Sequence, residues 1–276
     1  MELSEQVSAS MPDVATVKLR SELLSQSVVP LFAECPNRRP QALGTGFLVS
    51  RAGAYYLISA AHVLDEAFGT NVFFYAGERT THRLRGIYRS TPTTNPIKRD
   101  DDPLDVGVFR FVEPNLGQLT EIGKSAIDFG ALRSVREDRW KGKYLLCGFP
   151  GSKSSFHAKN RQYESGYLQH LAAASPAWRY REYGLDPKNH VMLPYDEKIS
   201  WDEFGNHVGL LSPKGLSGSP VWSCVTDGAT SEVVAGILIE SRNHDKNLVA
   251  TDVKYAIDII QHAFEDGAVV KNLWRL

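Results

Sequence analysis

Three residues in separate segments of the sequence could act together in catalysis. His62 follows an apolar run that ends in two alanines, Asp105 opens an alternating strand-like segment, and Ser217 lies in a glycine-rich turn. A hydroxyl, an imidazole and a carboxylate are the groups that acyl transfer uses as nucleophile, general base and orienting residue. Taken singly, each has an ordinary structural explanation, for example a turn hydrogen bond for an aspartate at a strand start. Asp101 and Asp102 are local competitors for the role of Asp105.

The turn around Ser217 is the most informative of the three segments. Gly215 and Gly218 flank the serine within the sequence PKGLSGSPVW. Glycine allows backbone conformations that other residues avoid, so successive N–H groups can point into one concavity. An oxyanion hole requires this arrangement. A plain Gly/Ser/Pro turn between two strands is the alternative.

The elements that must position these residues are short strands. Runs rich in β-branched and aromatic residues recur between turn signals, which favours an all-β sandwich or barrel over alternating β and α units. The predicted strands are 27–32, 46–50, 55–59, 72–75, 106–112, 144–148, 208–211, 220–225 and 233–239. Helices are predicted at 15–25 and 253–264, a mixed connection at 113–140 and long loops at 151–190, which are the candidate selectivity or gating segment.

The three motifs together resemble the trypsin-like serine peptidases. SAAH at 59–62 is similar to that family's histidine motif, DVGV at 105–108 to its aspartate-led strand, and GLSGSP at 215–220 to its nucleophile turn. The order His, Asp, Ser is also the order of that family. The resemblance implies an all-β fold of two antiparallel six-stranded barrels with a C-terminal α-helix.

The resemblance also implies domain limits, expected as a lead-in segment (1–26), a peptidase domain (27–265) and a tail (266–276). Within the domain, the first barrel is expected at about 27–115, the second at about 138–252 and the helix at about 253–265.

In such a fold the active site lies in the cleft between the barrels, and each residue takes a defined role. The resemblance implies that His62 takes the proton of Ser217, that Asp105 orients His62, and that the N–H groups of Gly215 and Ser217 bind the oxyanion. The expected specificity pocket has Leu211 or Ser212 near its base and the segment 236–241 along its wall. The wall includes Ile239, Glu240 and Ser241. For the substrate residue that precedes the cleaved bond, an apolar or small side chain is the first expectation and a basic side chain the second.

Three neighbours of the motifs depart from the secreted members of that family. Val63 stands where those relatives place a cysteine, so the disulfide of that loop cannot form. Leu216 stands where their zymogens place the aspartate that pairs with a new N-terminus, so activation by a freed α-amine is not expected. Ser219 replaces the second glycine of the nucleophile motif, which takes little extra room but loses freedom at positive φ.

Composition limits the partners. Lys and Arg number 31 against 32 Asp and Glu, a net charge of −1, so no global field favours nucleic acid or an anionic membrane. The charged run 98–102 is predicted to be a solvated loop. A protein or peptide substrate is expected, with a regulatory partner allowed. No motif calls for a cofactor or a metal.

Three widely spaced cysteines cannot form a disulfide framework. The first 15 residues lack the pattern of a secretory signal, so cytoplasm is the expected location.

Other classes of function fit less well. An α/β-hydrolase also uses a serine between glycines, but a helix must follow it at once, and residues 220–225 are typical of a strand. A cysteine peptidase would need Cys147 or Cys224, which sit in apolar runs and are expected to be buried. The alternative from another class is a trypsin-like fold that acts as a binding or regulatory module without turnover. For an enzyme at this location, limited proteolysis of a few protein partners is the working hypothesis.

Overall fold

The structure is a computed structural model of the 276-residue chain. It describes residues 24–34, 40–66, 70–76, 80–94, 99, 101–112, 123–134, 142–157, 162–195, 200–202, 206, 212–224, 233–242 and 246–265.

The N-terminal half forms one strongly curled sheet. Its strands are β1 (Val28–Ala33), β2 (Gln41–Arg51), β3 (Ala54–Ala60), β4 (Val72–Ala76), β5 (Thr80–Arg83), β6 (Gly86–Ser90), β7 (Val106–Phe111) and β8 (Ile127–Asp128). They follow the order β5-β4-β1-β2-β3-β7-β6 with antiparallel pairing, and short β8 runs parallel to β2. A short helix, α1 (Ala61–Asp65), continues directly from β3.

The C-terminal half forms a second antiparallel sheet. Its strands are β9 (Lys143–Gly148), β12 (Leu168–Ala173), β13 (His190–Pro194), β14 (Ser200–Asp202), β15 (Pro220–Ser223), β16 (Val233–Arg242) and β17 (Asn247–Asp252). Their order is β13-β17-β16-β15-β9-β12-β14, and β10 (Ser154–His157) pairs separately with β11 (Gln162–Ser165). Two short helices complete this half, α2 (Ala177–Glu182) and α3 (Lys254–Asp258), and a π-helical segment (Ile259–Glu265) extends α3.

The mostly β architecture and the short C-terminal helix confirm the coarse expectation, but the prediction of closed six-stranded barrels is wrong. Each sheet is open, with seven strands along its path and β8 added to the first. In the first sheet, edge strands β5 and β6 are separated by only residues 84 and 85. Such a link spans about 11 Å at most, so the two edges approach each other. The sheet therefore curls nearly into a barrel without a ladder of hydrogen bonds between β5 and β6.

Most of the predicted strands that fall on described residues are present, with shifted ends. The main error is 151–190, predicted as long loops, which contains β10, β11, β12 and α2 and the start of β13. Its charged and tyrosine-rich sequence does not show a strand pattern, although β12 is buried at five of its six positions. The predicted strand 208–211 and nearly all of the predicted helix 15–25 lie outside the described residues.

The two sheets share one apolar core. Buried side chains of both halves pack in one cluster, for example Phe47 and Tyr56 of the first sheet with Trp222, Ile237 and Ile260 of the second half. The mixed connection predicted at 113–140 contributes to this union, because Leu132 forms a parallel bridge with Val234. The relative position of the sheets is therefore fixed by burial of apolar surface. Within the described part of the chain, no helix has the length and apolar character needed to span a bilayer.

A buried hydroxyl adds a polar link between the sheets. Thr45 of β2 is fully buried, donates from Oγ1 to the carbonyl of Gly215 (2.9 Å) and accepts the N–H of Phe149 (3.0 Å). Its own N–H donates to the carbonyl of Ser217 at 2.8 Å. A single residue of the first sheet thus holds two loops of the second.

Replacement of this hydroxyl by a methyl group tests the link. Thr45→Val keeps the side-chain volume but leaves a buried carbonyl and a buried N–H without partners. We expect the free energy of unfolding to fall by about 2 kcal/mol or more, measured by urea denaturation. Thr70→Val removes an exposed hydroxyl that donates to the carbonyl of Glu66, and should change stability by less than about 0.5 kcal/mol. Equal effects of the two substitutions would contradict the link.

Candidate functional site

His62 and Asp105 are brought together by the pairing of β3 with β7. Ala60 lies opposite Val106 at the end of this ladder, so the next residue of one strand meets the preceding residue of the other. The N–H of Ala61 donates to the carbonyl of Asp105 at 2.8 Å. The register of two strands therefore places residues that are 43 positions apart side by side.

The Asp105 carboxylate holds His62 at two points. Oδ1 accepts the backbone N–H of His62 at 2.8 Å, and Oδ2 lies 2.5 Å from Nδ1 of the ring. The Asp105 side chain is 11% exposed and the His62 side chain 46% exposed, so the carboxylate is largely buried while the imidazole ring is accessible to solvent. An acceptor at Nδ1 assigns the proton to that nitrogen and leaves Nε2 as the basic one. Among the described residues, Nε2 has no hydrogen-bond partner.

Close packing of α1 onto β7 requires a glycine at the contact. A Cβ atom built on Gly107 would lie 3.0 Å from Ala61 Cα and 3.0 Å from Leu64 Cδ1. A larger residue at this point would push α1, and with it His62, away from β7. Gly107, the glycine of the DVGV motif, thus allows the helix that carries His62 to pack closely on β7.

Asp105 itself adopts an unusual backbone conformation. Its φ angle is +49°, in the left-handed region that non-glycine residues seldom occupy. Its N–H donates to the Asp102 carboxylate at 3.0 Å. The carbonyl is bound by Ala61, as described above. Hydrogen bonds on both sides of the residue therefore fix a conformation that costs about 1–2 kcal/mol.

Ser217 lies in a tight turn of the second sheet that two glycines make possible. Gly215 and Gly218 have φ angles of +93° and +88°. The N–H of Ser219 donates to the carbonyl of Leu216 (2.9 Å), and that of Gly218 to the carbonyl of Leu238 (2.6 Å). Ser219 does not have positive φ, so its replacement of the family's second glycine causes no backbone conflict.

Three of the five N–H groups of the turn at 215–219 are bonded within the described part of the chain, and two are not. Those of Leu216, Gly218 and Ser219 donate to backbone carbonyls. Those of Gly215 and Ser217 have no acceptor among the described residues. These two are the donors expected for the oxyanion hole, and neither is used in a hydrogen bond within the described part of the chain.

The turn sits directly against the strands that lead to His62. A Cβ built on Gly218 would lie 2.0 Å from both Ser59 Oγ and the carbonyl oxygen of Thr45, and 3.0 Å from the nitrogen of Ala60. A Cβ on Gly44 would likewise lie 2.8 Å from the carbonyl oxygen of Ser217 and 2.7 Å from the side chain of Val63, the neighbour of His62. The structure thus brings the serine turn and the β3–α1 junction into contact. No hydrogen bond between Ser217 Oγ and the His62 ring is present among the described residues.

The expected specificity residues have different environments. Ser212 is exposed, and Leu211 lies outside the described residues. Ile239 is half-buried and packs against the apolar cluster of the first sheet that contains Val63. Glu240 is exposed and forms an ion pair with Arg242 (3.2 Å), and Ser241 is half-buried beside them on β16. Only Glu240 brings a charge to the expected wall, and that charge is already partnered.

Two of the three residues that depart from the secreted proteins with similar motifs are buried in apolar surroundings. Val63 is 1% exposed within the core of the first sheet, and Leu216 is 0% exposed within the second. Leu216 therefore contributes to packing where an aspartate would need a cationic partner. Cys147 is buried as expected, whereas Cys224 is only partly buried. The described residues include no group of three His, Cys, Asp or Glu side chains that could hold a metal ion.

The prediction of a solvated loop at 98–102 is wrong for two of its members. Arg99 and Asp102 are each 6% exposed, and they form an ion pair with a distance of 2.6 Å. Asp65 of α1 binds the same guanidinium. Sequence reasoning missed this cluster and also the role of Thr45. The adjacent DDPLD sequence was the available signal, because Asp102 accepts from residues two and three positions ahead, a common local pattern for aspartate.

Comparison with known proteins adds little to this geometry. No family model and no curated protein matches the sequence. One similar chain belongs to a solved structure from work on coupled folding and binding of the intrinsically disordered Sesbania mosaic virus VPg protein. It is 13% identical, with a TM-score of 0.46, over 87% of this chain and 91% of that chain. Such a distant likeness assigns neither a family nor an activity.

Two glycines with similar φ angles test the contact below Ser217. Gly218→Ala would place a methyl group into Ser59 and Thr45, whereas Gly53 (φ +78°) has open space around it. We expect Gly53→Ala to lower the free energy of unfolding by about 1 kcal/mol, from backbone strain alone. Gly218→Ala should cost clearly more in a urea or thermal denaturation series. If both variants lose the same stability, the serine turn does not press against β3.

Proposed function

We propose that the chain is a serine endopeptidase with Ser217 as nucleophile, His62 as general base and Asp105 as the residue that orients it. The observation that carries this proposal is the His62–Asp105 pair, which is joined by two hydrogen bonds and lies next to a glycine-flanked serine turn. Two N–H groups of that turn have no acceptor among the residues that the structure describes and would be the donors for an oxyanion. This combination provides every group that acyl transfer from a peptide requires.

The proton follows a simple route. Ser217 Oγ attacks the peptide carbonyl carbon as His62 Nε2 takes the hydroxyl proton, and the N–H groups of Gly215 and Ser217 stabilise the oxyanion. The C–N bond then breaks as His62 gives the proton to the leaving amine, which leaves an acyl-enzyme on Ser217. Water repeats the sequence, with His62 again as base, and releases the acid. Asp105 holds Nδ1–H throughout and stabilises the imidazolium that forms.

Limited proteolysis of specific protein partners is the proposed biological activity. An apolar or small side chain before the cut agrees with the expected pocket wall, where Ile239 is apolar and Glu240 is paired with Arg242. A basic side chain would have to compete with Arg242 for that carboxylate. Leu216, buried among apolar neighbours, supports activity without pairing to a freed N-terminus.

A second candidate function is a binding or regulatory module built on the same fold. The observation in its favour is that no hydrogen bond joins Ser217 Oγ to His62 among the described residues. Catalytic hydrogen bonds in free enzymes are often long and tighten only when substrate binds, so this geometry fits both candidates. Reactivity of the serine separates them.

A fluorophosphonate probe measures that reactivity, and the chain offers a matched control. Ser217→Ala should abolish labelling and lower peptidase kcat by on the order of 10⁶-fold. Ser219 lies two residues after Ser217, and its buried hydroxyl has no hydrogen-bond partner among the described residues, so Ser219→Ala should retain labelling. Folding of both variants is checked by circular dichroism. Absence of labelling in the well-folded natural chain would favour the binding module.

The range of substrates is tested by two digestions. Incubation with unfolded casein should give slow or no degradation, because the proposed enzyme cuts a few partners. Mapping of new N-termini in a proteome treated with the natural chain, against Ser217→Ala, should return a short set of sites that share a small or apolar residue before the cut. Rapid casein degradation at many sites contradicts limited proteolysis.

A further inference from the structure

Arg99 is a buried cation bound by two buried carboxylates. Its side chain is 4% exposed, and those of Asp65 and Asp102 are 7% and 2% exposed. Nε and Nη2 both donate to Asp65, and Nη1 donates to Asp102 Oδ2 at 2.6 Å. The planar guanidinium thus contacts both acids at once, which a lysine ammonium with its single nitrogen cannot reproduce.

Each of these carboxylates belongs to an element that carries one member of the proposed pair. Asp65 is the last residue of α1, one helical turn after His62. Asp102 Oδ1 accepts the N–H groups of Leu104 and Asp105, both at 3.0 Å. Arg99 therefore ties the helix that carries the histidine to the turn that carries the aspartate.

Surrounding hydroxyl groups complete the cluster. Tyr88 Oη donates to Asp65 Oδ1 (2.8 Å), and Thr91 Oγ1 donates to Asp102 Oδ2 (2.5 Å). Arg99 Nη2 also donates to Ser90 Oγ at 2.7 Å. Burial and the Asp65 charge raise the pKa of Tyr88 well above its ordinary value, so its hydroxyl remains a donor. Burial is the largest single effect on Arg99 and opposes its charge, but the hydrogen bond to Asp65 and the negative charges around the guanidinium together outweigh it, so the pKa of Arg99 is raised.

Backbone conformation supports a positioning role. Arg99 and Asp105 both have φ angles of +49°, although neither is glycine. Conformations of this kind persist only where the surrounding structure determines them, and they concentrate at functional sites. Asp102 is hydrogen-bonded to both residues. Its carboxylate accepts from the Arg99 side chain and from the N–H of Asp105, and its own N–H donates to the Arg99 carbonyl. Two strained residues and the acid between them form one unit.

We propose that Arg99 is a positioning residue that sets the geometry of the His62–Asp105 hydrogen bond by joining Asp65 to Asp102. The proposal rests on the proposed function, because it assigns Arg99 to the same site. Arg99 touches neither His62 nor the reacting atoms, so its effect passes through the two carboxylates.

The proton on Nδ1 of His62 gives a direct readout that does not depend on activity. In a strong hydrogen bond to Asp105, this proton resonates far downfield in the ¹H NMR spectrum. Arg99→Lys keeps the charge but loses the two-sided contact, and we expect the signal to move upfield or broaden away. The kcat for a peptide, or the rate constant of fluorophosphonate labelling, should fall by about 10²-fold with KM little changed. Asp101→Asn, a neighbouring exposed acid bonded to Thr93 and Thr94, is the matched control and should preserve both readouts.

Asp65→Asn provides a second variant if Arg99→Lys does not fold. It keeps the side-chain volume and the Arg99–Asp102 pair, and should shift the downfield signal while the remaining amide spectrum stays native. A downfield signal and a kcat equal to those of the natural chain in folded variants would overturn the proposal, as would absence of the signal from the natural chain. A natural chain with the signal but without labelling would contradict the peptidase instead, and the NMR comparison of the variants still decides the role of Arg99.

Discussion

The contact between the serine turn and strands β2 and β3 is the constraint on which the site depends. The proposed nucleophile and its base come from different sheets, so their separation is set by how closely those sheets approach. Gly218 lies against Ser59 and Ala60 with no room for a Cβ atom, and Thr45 donates hydrogen bonds to two carbonyl groups of the turn. Burial of the shared apolar core stabilises the packing of the two sheets, and these close contacts set the distance between them.

The two halves of the site are held by different kinds of interaction. The serine turn is fixed mainly by backbone hydrogen bonds, so its sequence needs only glycine at the two positions with positive φ. The His62–Asp105 half is fixed by side chains, through the Asp105 carboxylate and the buried Arg99 cluster. Ion pairs in a protein interior lose hydration energy that their attraction only partly returns, so they contribute little to net stability. Such ion pairs do fix orientation, because the planar guanidinium donates its hydrogen bonds in fixed directions and so restricts where the carboxylates can lie.

Sequence analysis predicted what depends on local pattern. Alternating apolar residues identified most described strands, and the small set of residues around His62, Asp105 and Ser217 identified segments that the structure brings into contact. What it missed depends on partners far away in the chain. Arg99 and Asp102 have the composition of a solvated loop, and partners outside that loop, among them Asp65 and Thr91, make their burial favourable. Thr45 carries no motif, and its role arises from Gly215, 170 positions away. Sheet closure could not be read locally either, because it depends on whether β5 and β6 pair across the curl.

The buried charges also bear on the choice between an enzyme and a binding module. Apolar side chains of similar volume in place of Arg99, Asp65 and Asp102 could give a fold of equal or greater stability. A module that binds through its surface gains nothing from a defined hydrogen bond at an imidazole. General base catalysis does gain from it, because a small misplacement of the base lowers the rate steeply. A strained aspartate, fixed on both sides and supported by a satisfied ionic cluster, is therefore an observation in favour of the proposed proton transfer at His62 over the proposed binding module.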